Sequence, residues 1–304
     1  MAKMINIPHV GREERVGQAF NSLFKVVWET ESCNANEEIV WSFRDCSFFH
    51  PFFISTLGLY KQNSGKRIHI QDMGSYTRSY LELIHFEDAL MLNSAEETSN
   101  IFETYKNKSY IPICKFGTSE DTIDSVTTGL QRIMQSQRTL PFPVRNALSY
   151  MMGEIVTNIH DHSRSNHGYM FSQYLKREKC LNLCIADNGI SIYGSFVSSG
   201  KFDTKLLANQ GEVLNMALSH CSTKNRPEAE NRGFGLPTTK NMLANGMNGS
   251  FFIMSGNAFH RHDRFGEQTV TMPTNIEWDG TIVLLKIPIE APHDFNYLKY
   301  VSLL

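Results

Sequence analysis

Residues 153–163 read GEIVTNIHDHS, and the surface onto which Glu154, Asn158 and Asp161 fall decides what the second half of the chain is. Positions three and four apart on an α-helix are neighbours, so these polar groups converge on one side of the cylinder. That side faces either water or a ligand, and for an isolated polar stripe water is the ordinary answer. The helix begins upstream, in PFPVRNALSYMM, with Pro143 in its first turn.

Working outward, residues 119–137 read as an amphipathic helix with capping residues at its start. Residues 169–187 read as a hairpin-like pair of strands, 188–232 as a polar, glycine-containing stretch, and 233–245 as a glycine turn opening a helix. Strands come next, near 249–255 and 280–289. Toward the amino terminus, EEIVWSF (37–43) reads as a strand, FFISTLGLYKQ (52–62) as a helix and KRIHIQD (66–72) as a strand after the Ser64–Gly65 turn, which together suggest a βαβ unit. Residues 75–90 read as a helix and 109–117 as an extended stretch.

The chain has 304 residues, 41% of them hydrophobic, which is ample for a core and points to two domains. With 29 Lys+Arg against 31 Asp+Glu and a net charge of -2, no global field draws in nucleic acid or an acidic membrane. The amino terminus lacks the marks of a signal peptide, and no run approaches the roughly 20 apolar residues of a membrane helix, so a cytoplasmic protein is expected. Cysteines at 33, 46, 114, 180, 184 and 221 form no CxxC pair and are expected to be reduced, structural thiols.

Two further motifs join the helical stripe. In LCIADNGI (183–190), Asp187 stands after an apolar strand and before an Asn-Gly turn, at a sheet edge where a carboxylate can point into a pocket; alone, Asp-Asn-Gly is an ordinary turn. In NRGFGLPTTKNML (231–243), Gly233, Gly235 and Leu236 open a helix with Pro237 in its first turn. Backbone N–H groups at such a turn favour an anion, although a lone GxG is a weak signal.

Taken in order, E-xxx-N-xx-D, D-x-G, G-x-G-L and GTIVLLKIP (280–288) resemble the nucleotide-binding motifs of the GHKL superfamily, the gyrase, heat-shock chaperone, histidine kinase and MutL ATPases. The resemblance covers about residues 140–290. It implies ATP and Mg²⁺ as ligands and an α/β sandwich of Bergerat type, a mixed sheet with helices on one face. Glu154 then resembles the base that polarises the attacking water, Asn158 the Mg²⁺ ligand and Asp161 a polar residue of the pocket. Asp187 resembles the acceptor of adenine's amine, with Gly189 leaving room for the base and Thr281 near it, while Gly233, Gly235 and Leu236 match the phosphate turn. Lys224 and Arg232, in the stretch read as a lid (190–232), can pair with phosphates, beside the ordinary reading of a solvated basic loop. Many relatives carry a second glycine where this chain has Ser191, which predicts a stiffer first turn of the lid. The lid itself is expected to have little apolar surface to bury. His160, His162 and His167 do not make a zinc site, because positions two apart on a helix diverge.

Residues 36–115 are similar to the STAS fold of anti-sigma-factor antagonists, except that His50 and Pro51 stand where an acceptor Ser or Thr would start the helix. The expected α/β architecture is therefore a STAS-like regulatory or docking domain at 1–115, a helical seam at 116–140 and a GHKL domain at 141–304. The implied function is a regulatory switch in which ATP closes the lid and slow hydrolysis resets it. The alternative is a protein serine/threonine kinase resembling the anti-sigma-factor kinases, acting on a STAS-like partner. A histidine autokinase is disfavoured, because no upstream helical hairpin presents an acceptor histidine. A regulatory protein partner is implied, STAS-like or other, and a homodimer is left open.

Overall fold

The structure is a computed structural model. It describes residues 2–11, 16–34, 36–47, 49–136, 140–203, 205–219, 221, 223, 235–274 and 276–301, with the side chains of 16 and 130–136 left aside. The architecture is α/β, and contacts divide it into two compact units, residues 1–90 with 112–114, and residues 91–111 with 115–304.

The first unit carries β1 (Lys3–Asn6), α1 (Val16–Glu31), β2 (Ile39–Ser42), α2 (Pro51–Asn63), β3 (Ile68–Gln71) and α3 (Ser75–Leu83). The strands form a parallel sheet in the order β1-β2-β3. Such pairing needs a crossover between strands, and α2 supplies the one from β2 to β3. Every residue of α2 from Pro51 to Tyr60 is buried, as expected of a helix apolar on all sides. Gly58 lets it in closely, since a Cβ there would press on Ile113 Cδ1 and the Phe86 ring. The 75–90 stretch is helical only to Leu83; His85 then turns with φ 55.

The second unit carries β4 (Leu90–Leu92) from residue 91, α4 (Ala95–Tyr105), β5 (Tyr110–Gly117) apart from residues 112–114, α5 (Glu120–Ser136) and α6 (Phe142–Asn158). A π-helical turn (Ile159–Ser163) extends α6, and after it come β6 (His167–Leu175), β7 (Cys180–Asp187), α7 (Ser191–Ser199), α8 (Gln210–Ala217) and α9 (Gly235–Asn241). Beyond a second π turn (Met242–Gly246) lie β8 (Ser250–Gly256), β9 (Ala258–Asp263), β10 (Gly266–Thr271), β11 (Trp278–Pro288) and α10 (Leu298–Val301). The eight-stranded sheet runs β10-β9-β8-β11-β7-β6-β5-β4, and the pairings from β10 to β6 are antiparallel. Helices α4, α5, α6 and α9 pack one on the next.

All eight residues of β7 are buried, so both faces of the sheet are covered at its centre. Apolar runs such as LNLCIA and TIVLLKI suit strands covered on both faces, whereas β9 alternates buried and half-buried residues toward the edge. The six cysteines are free, five of them buried, and desolvation pushes Cys114 up to about 12, where it stays a thiol. No helix among the described residues is long and apolar enough to cross a membrane.

Candidate functional site

The second unit holds a cavity of ≈ 320 Å³, within the roughly 300–1,000 Å³ of small-molecule sites. Six of the residues singled out by sequence line it together: Glu154 and Asn158 from α6, Asp187 from the end of β7, Gly235 and Leu236 from the start of α9, and Thr281 from β11. Between them Ile155, Ile185, Ile253 and Val283 form apolar wall. One cavity thus joins apolar surface suited to a flat ring with carboxylate, amide and hydroxyl groups.

Asp187 is 4% exposed. Burial pushes its carboxyl up to about 7, against backbone N–H bonds from Gly189 (2.8 Å) and Thr281 that favour the charged form. In the sheet it pairs with Thr281 on one side and Gly168 on the other. Gly280, at φ 93, sits at an irregularity of the β11–β8 pairing, and a Cβ there would overlap the Asp187 carbonyl. The Thr281 hydroxyl lies 2.9 Å from Ser255 Oγ, which also accepts from the Ile192 N–H at 2.8 Å and so ties the start of α7 to the sheet.

Glu154 is held from two sides. The Tyr150 hydroxyl, one turn earlier on α6, hydrogen-bonds both Glu154 and Thr238 of α9, and burial together with the Glu154 charge pushes the phenol up to about 12. A Cβ on Gly235 would overlap the Glu154 carboxylate. Glycine is needed here for close approach of α9 to α6.

Asp161 does not line the cavity; His162 does. A continuous α-helix would set Asp161, seven residues after Glu154, almost directly beneath it. The π turn at 159–163 widens each turn by a residue, which rotates the later positions backward and brings His162 onto the face instead. His162 Nδ1 lies 3.1 Å from Thr223 Oγ1, which lies 3.1 Å from Ser195 Oγ. Gly189 does not line the cavity either, and what excludes a side chain there is the Ser163 carbonyl. Lys224, Arg232 and Gly233 lie outside the described residues.

The described residues of the 190–232 stretch do bury apolar surface, contrary to expectation. Phe196, Leu207, Val213 and Ala217 form a core of their own, with Phe202 stacked on Phe196 at 4.8 Å. Ser191 adopts φ 62, the conformation a glycine would reach freely, and its hydroxyl accepts from the Gly194 N–H at 3.2 Å.

Tyr150, His162, Thr223 and Ser255 were not among the residues expected from sequence. Only Tyr150 had a local signal, its position four residues before Glu154. The described residues contain no group of three or more His, Cys, Asp or Glu arranged to hold a metal. No model of a known protein family matches the chain, and no curated protein matches it in sequence.

Proposed function

We propose that the second unit is an ATP-binding switch of the GHKL type, with an α/β sandwich whose cavity takes ATP and Mg²⁺ and hydrolyses the nucleotide slowly. The observation that carries this reading is the convergence of Glu154, Asn158, Asp187, Gly235 and Thr281, from four separated stretches of chain, on one cavity. Asp187 accepts a hydrogen bond from adenine's exocyclic amine, which guanine's carbonyl cannot replace. Glu154 accepts a proton from the water whose oxygen attacks the γ-phosphorus as the bond to ADP breaks.

The donor set fits Mg²⁺, since Asn158 offers a hard amide oxygen in the cavity and this ion is usually held by one or two such groups plus phosphates, which leaves the Glu154 carboxylate to the water. When bound, Mg²⁺ neutralises phosphate charge. In this reading the first unit is a STAS-like docking module that passes the nucleotide state to a protein partner; its parallel sheet and βαβ crossover support that role, and His50 at the start of α2 leaves it without the usual hydroxyl acceptor.

Glu154→Ala tests the assignment. Removing a general base costs about a hundredfold to ten-thousandfold in rate, so phosphate release should fall to background while calorimetry still detects ATP binding. A fully active Glu154→Ala protein would remove the catalytic role.

A further inference from the structure

Three polar side chains run in a row along the wall of the cavity. Thr223 Oγ1 lies 3.1 Å from His162 Nδ1 and 3.1 Å from Ser195 Oγ, and all three residues line the cavity with Asn158 and Asp187. Two anchors fix where this row stands. His162 follows Asn158 by four residues, about one helical turn or roughly 5.4 Å along the axis, and Asn158 is the group read as meeting Mg²⁺ and the phosphates. Ser195 follows Ile192 by three residues on α7, again one turn. The Ile192 N–H is tied through Ser255 to Thr281, which pairs in the sheet with Asp187, the group read as meeting adenine. The row is therefore one turn from the phosphate anchor and one turn from the base anchor. What a nucleotide carries between its base and its phosphates is the sugar.

We propose that His162, Thr223 and Ser195 form the subsite for the vicinal hydroxyls of the sugar, so that the cavity selects ribonucleotides over deoxyribonucleotides. This rests on the nucleotide reading of the cavity and adds a selection on the sugar to the one Asp187 makes on the base. A vicinal diol both donates and accepts hydrogen bonds. Each protein hydroxyl has one donor and two acceptor sites, and a neutral imidazole nitrogen does either according to its tautomer. The protons along Ser195, Thr223 and His162 can therefore be ordered in either direction, and the row matches the diol in whichever sense it is presented. At 3.1 Å the Ser195–Thr223 contact is longer than the about 2.7–2.8 Å usual between hydroxyls, so turning toward a ligand gives up little. A sugar that lacks a hydroxyl displaces water from these groups without replacing its bonds, and polar groups left unmet are what cost affinity.

The test titrates the full chain by calorimetry, in the presence of Mg²⁺, with ADP, 2′-deoxy-ADP and 3′-deoxy-ADP, which avoids turnover. Loss of a sugar hydroxyl should weaken binding about tenfold, the scale of one hydrogen bond. Thr223→Val keeps the side chain's shape and removes its hydroxyl; in it ADP should fall to the affinity of the deoxy nucleotides, which should themselves bind as they do to the unmodified chain. Ser195→Ala should narrow the same gap and gives an independent reading if Thr223→Val does not fold. Equal affinity of the unmodified chain for all three nucleotides would overturn the inference, as would a ribose preference that both variants leave intact. Equal weakening of all three nucleotides in both variants would show that the row only braces the wall, and would overturn it as well. Each of these results leaves the nucleotide site standing, whereas failure of the unmodified chain to bind either ADP or ATP would overturn both.

Discussion

Tyr150 holds the carboxylate that we propose as the hydrolytic base, through a hydroxyl shared between Glu154 and Thr238. Tyr150→Phe keeps the ring and removes only that bond. In this variant kcat should fall roughly tenfold, the scale of one hydrogen bond to a charged group, with KM nearly unchanged. The acid limb of the rate profile should also move to higher pH, because the carboxylate loses a donor that favours its ionised form. A merely structural tyrosine would leave that limb in place, so steady-state kinetics between pH 5 and 9 separate the two roles. At this scale the sequence was legible wherever a residue acts on its own helix or strand. Glu154 and Asn158 were recognisable because α-helical spacing aligns them, and Asp187 because a strand end and an Asn-Gly turn flank it. Asp161 and Gly189 were misplaced for one shared reason. The π turn at 159–163 shifts the face by a residue and brings the Ser163 carbonyl against Gly189, and no local pattern in IHDHS distinguishes a π turn from an α turn.

Among the elements, α7 and α8 depart furthest from expectation. The apolar residues they gather, Phe196 of α7, Val213 and Ala217 of α8 and Leu207 of the turn before α8, are spread between glycines and charges, so no run or strict period announces a core; only folding of the two helices onto each other collects them. This region is a small folded body rather than a bare loop. Leu207 is 7% exposed and belongs to that core without lining the cavity. Leu207→Ala should cost the local core about 2–5 kcal/mol. Hydrogen exchange of residues 191–217 should then speed up, nucleotide affinity should drop, and β7 and β11 should keep their protection. Uniform loss of protection across the second unit would show that α7 and α8 do not open separately. The strands were easier to read, since β2, β5, β7, β8 and β11 are compact apolar runs. Helix α1 and the β9–β10 hairpin were not anticipated, the hairpin because alternation in AFHRHD and GEQTVT is carried by polar and charged side chains.

For the whole molecule, length had pointed to two domains and the element pattern with its resemblances to an α/β architecture with a seam at 116–140; contacts divide the chain into two units, the second made of residues 91–111 and 115–304. Helix α4 lies in that second unit and packs on α5, a grouping invisible locally because neither helix carries a motif. Every proposed role in this unit depends on its binding adenine nucleotide through Asp187. Because burial holds this carboxyl at about 7 and the ionised form is the one that accepts from adenine, affinity should fall as pH drops below 7 and level off above it. The decisive measurement is calorimetric titration of the chain, in the presence of Mg²⁺, with a non-hydrolysable ATP analogue and its guanine counterpart at pH 6 and pH 8. Binding is expected at one site per chain, tighter at pH 8 and at least tenfold tighter than the guanine analogue, with both preferences lost in Asp187→Asn. Equal affinity for the two analogues, or binding that Asp187→Asn leaves unchanged, would contradict it.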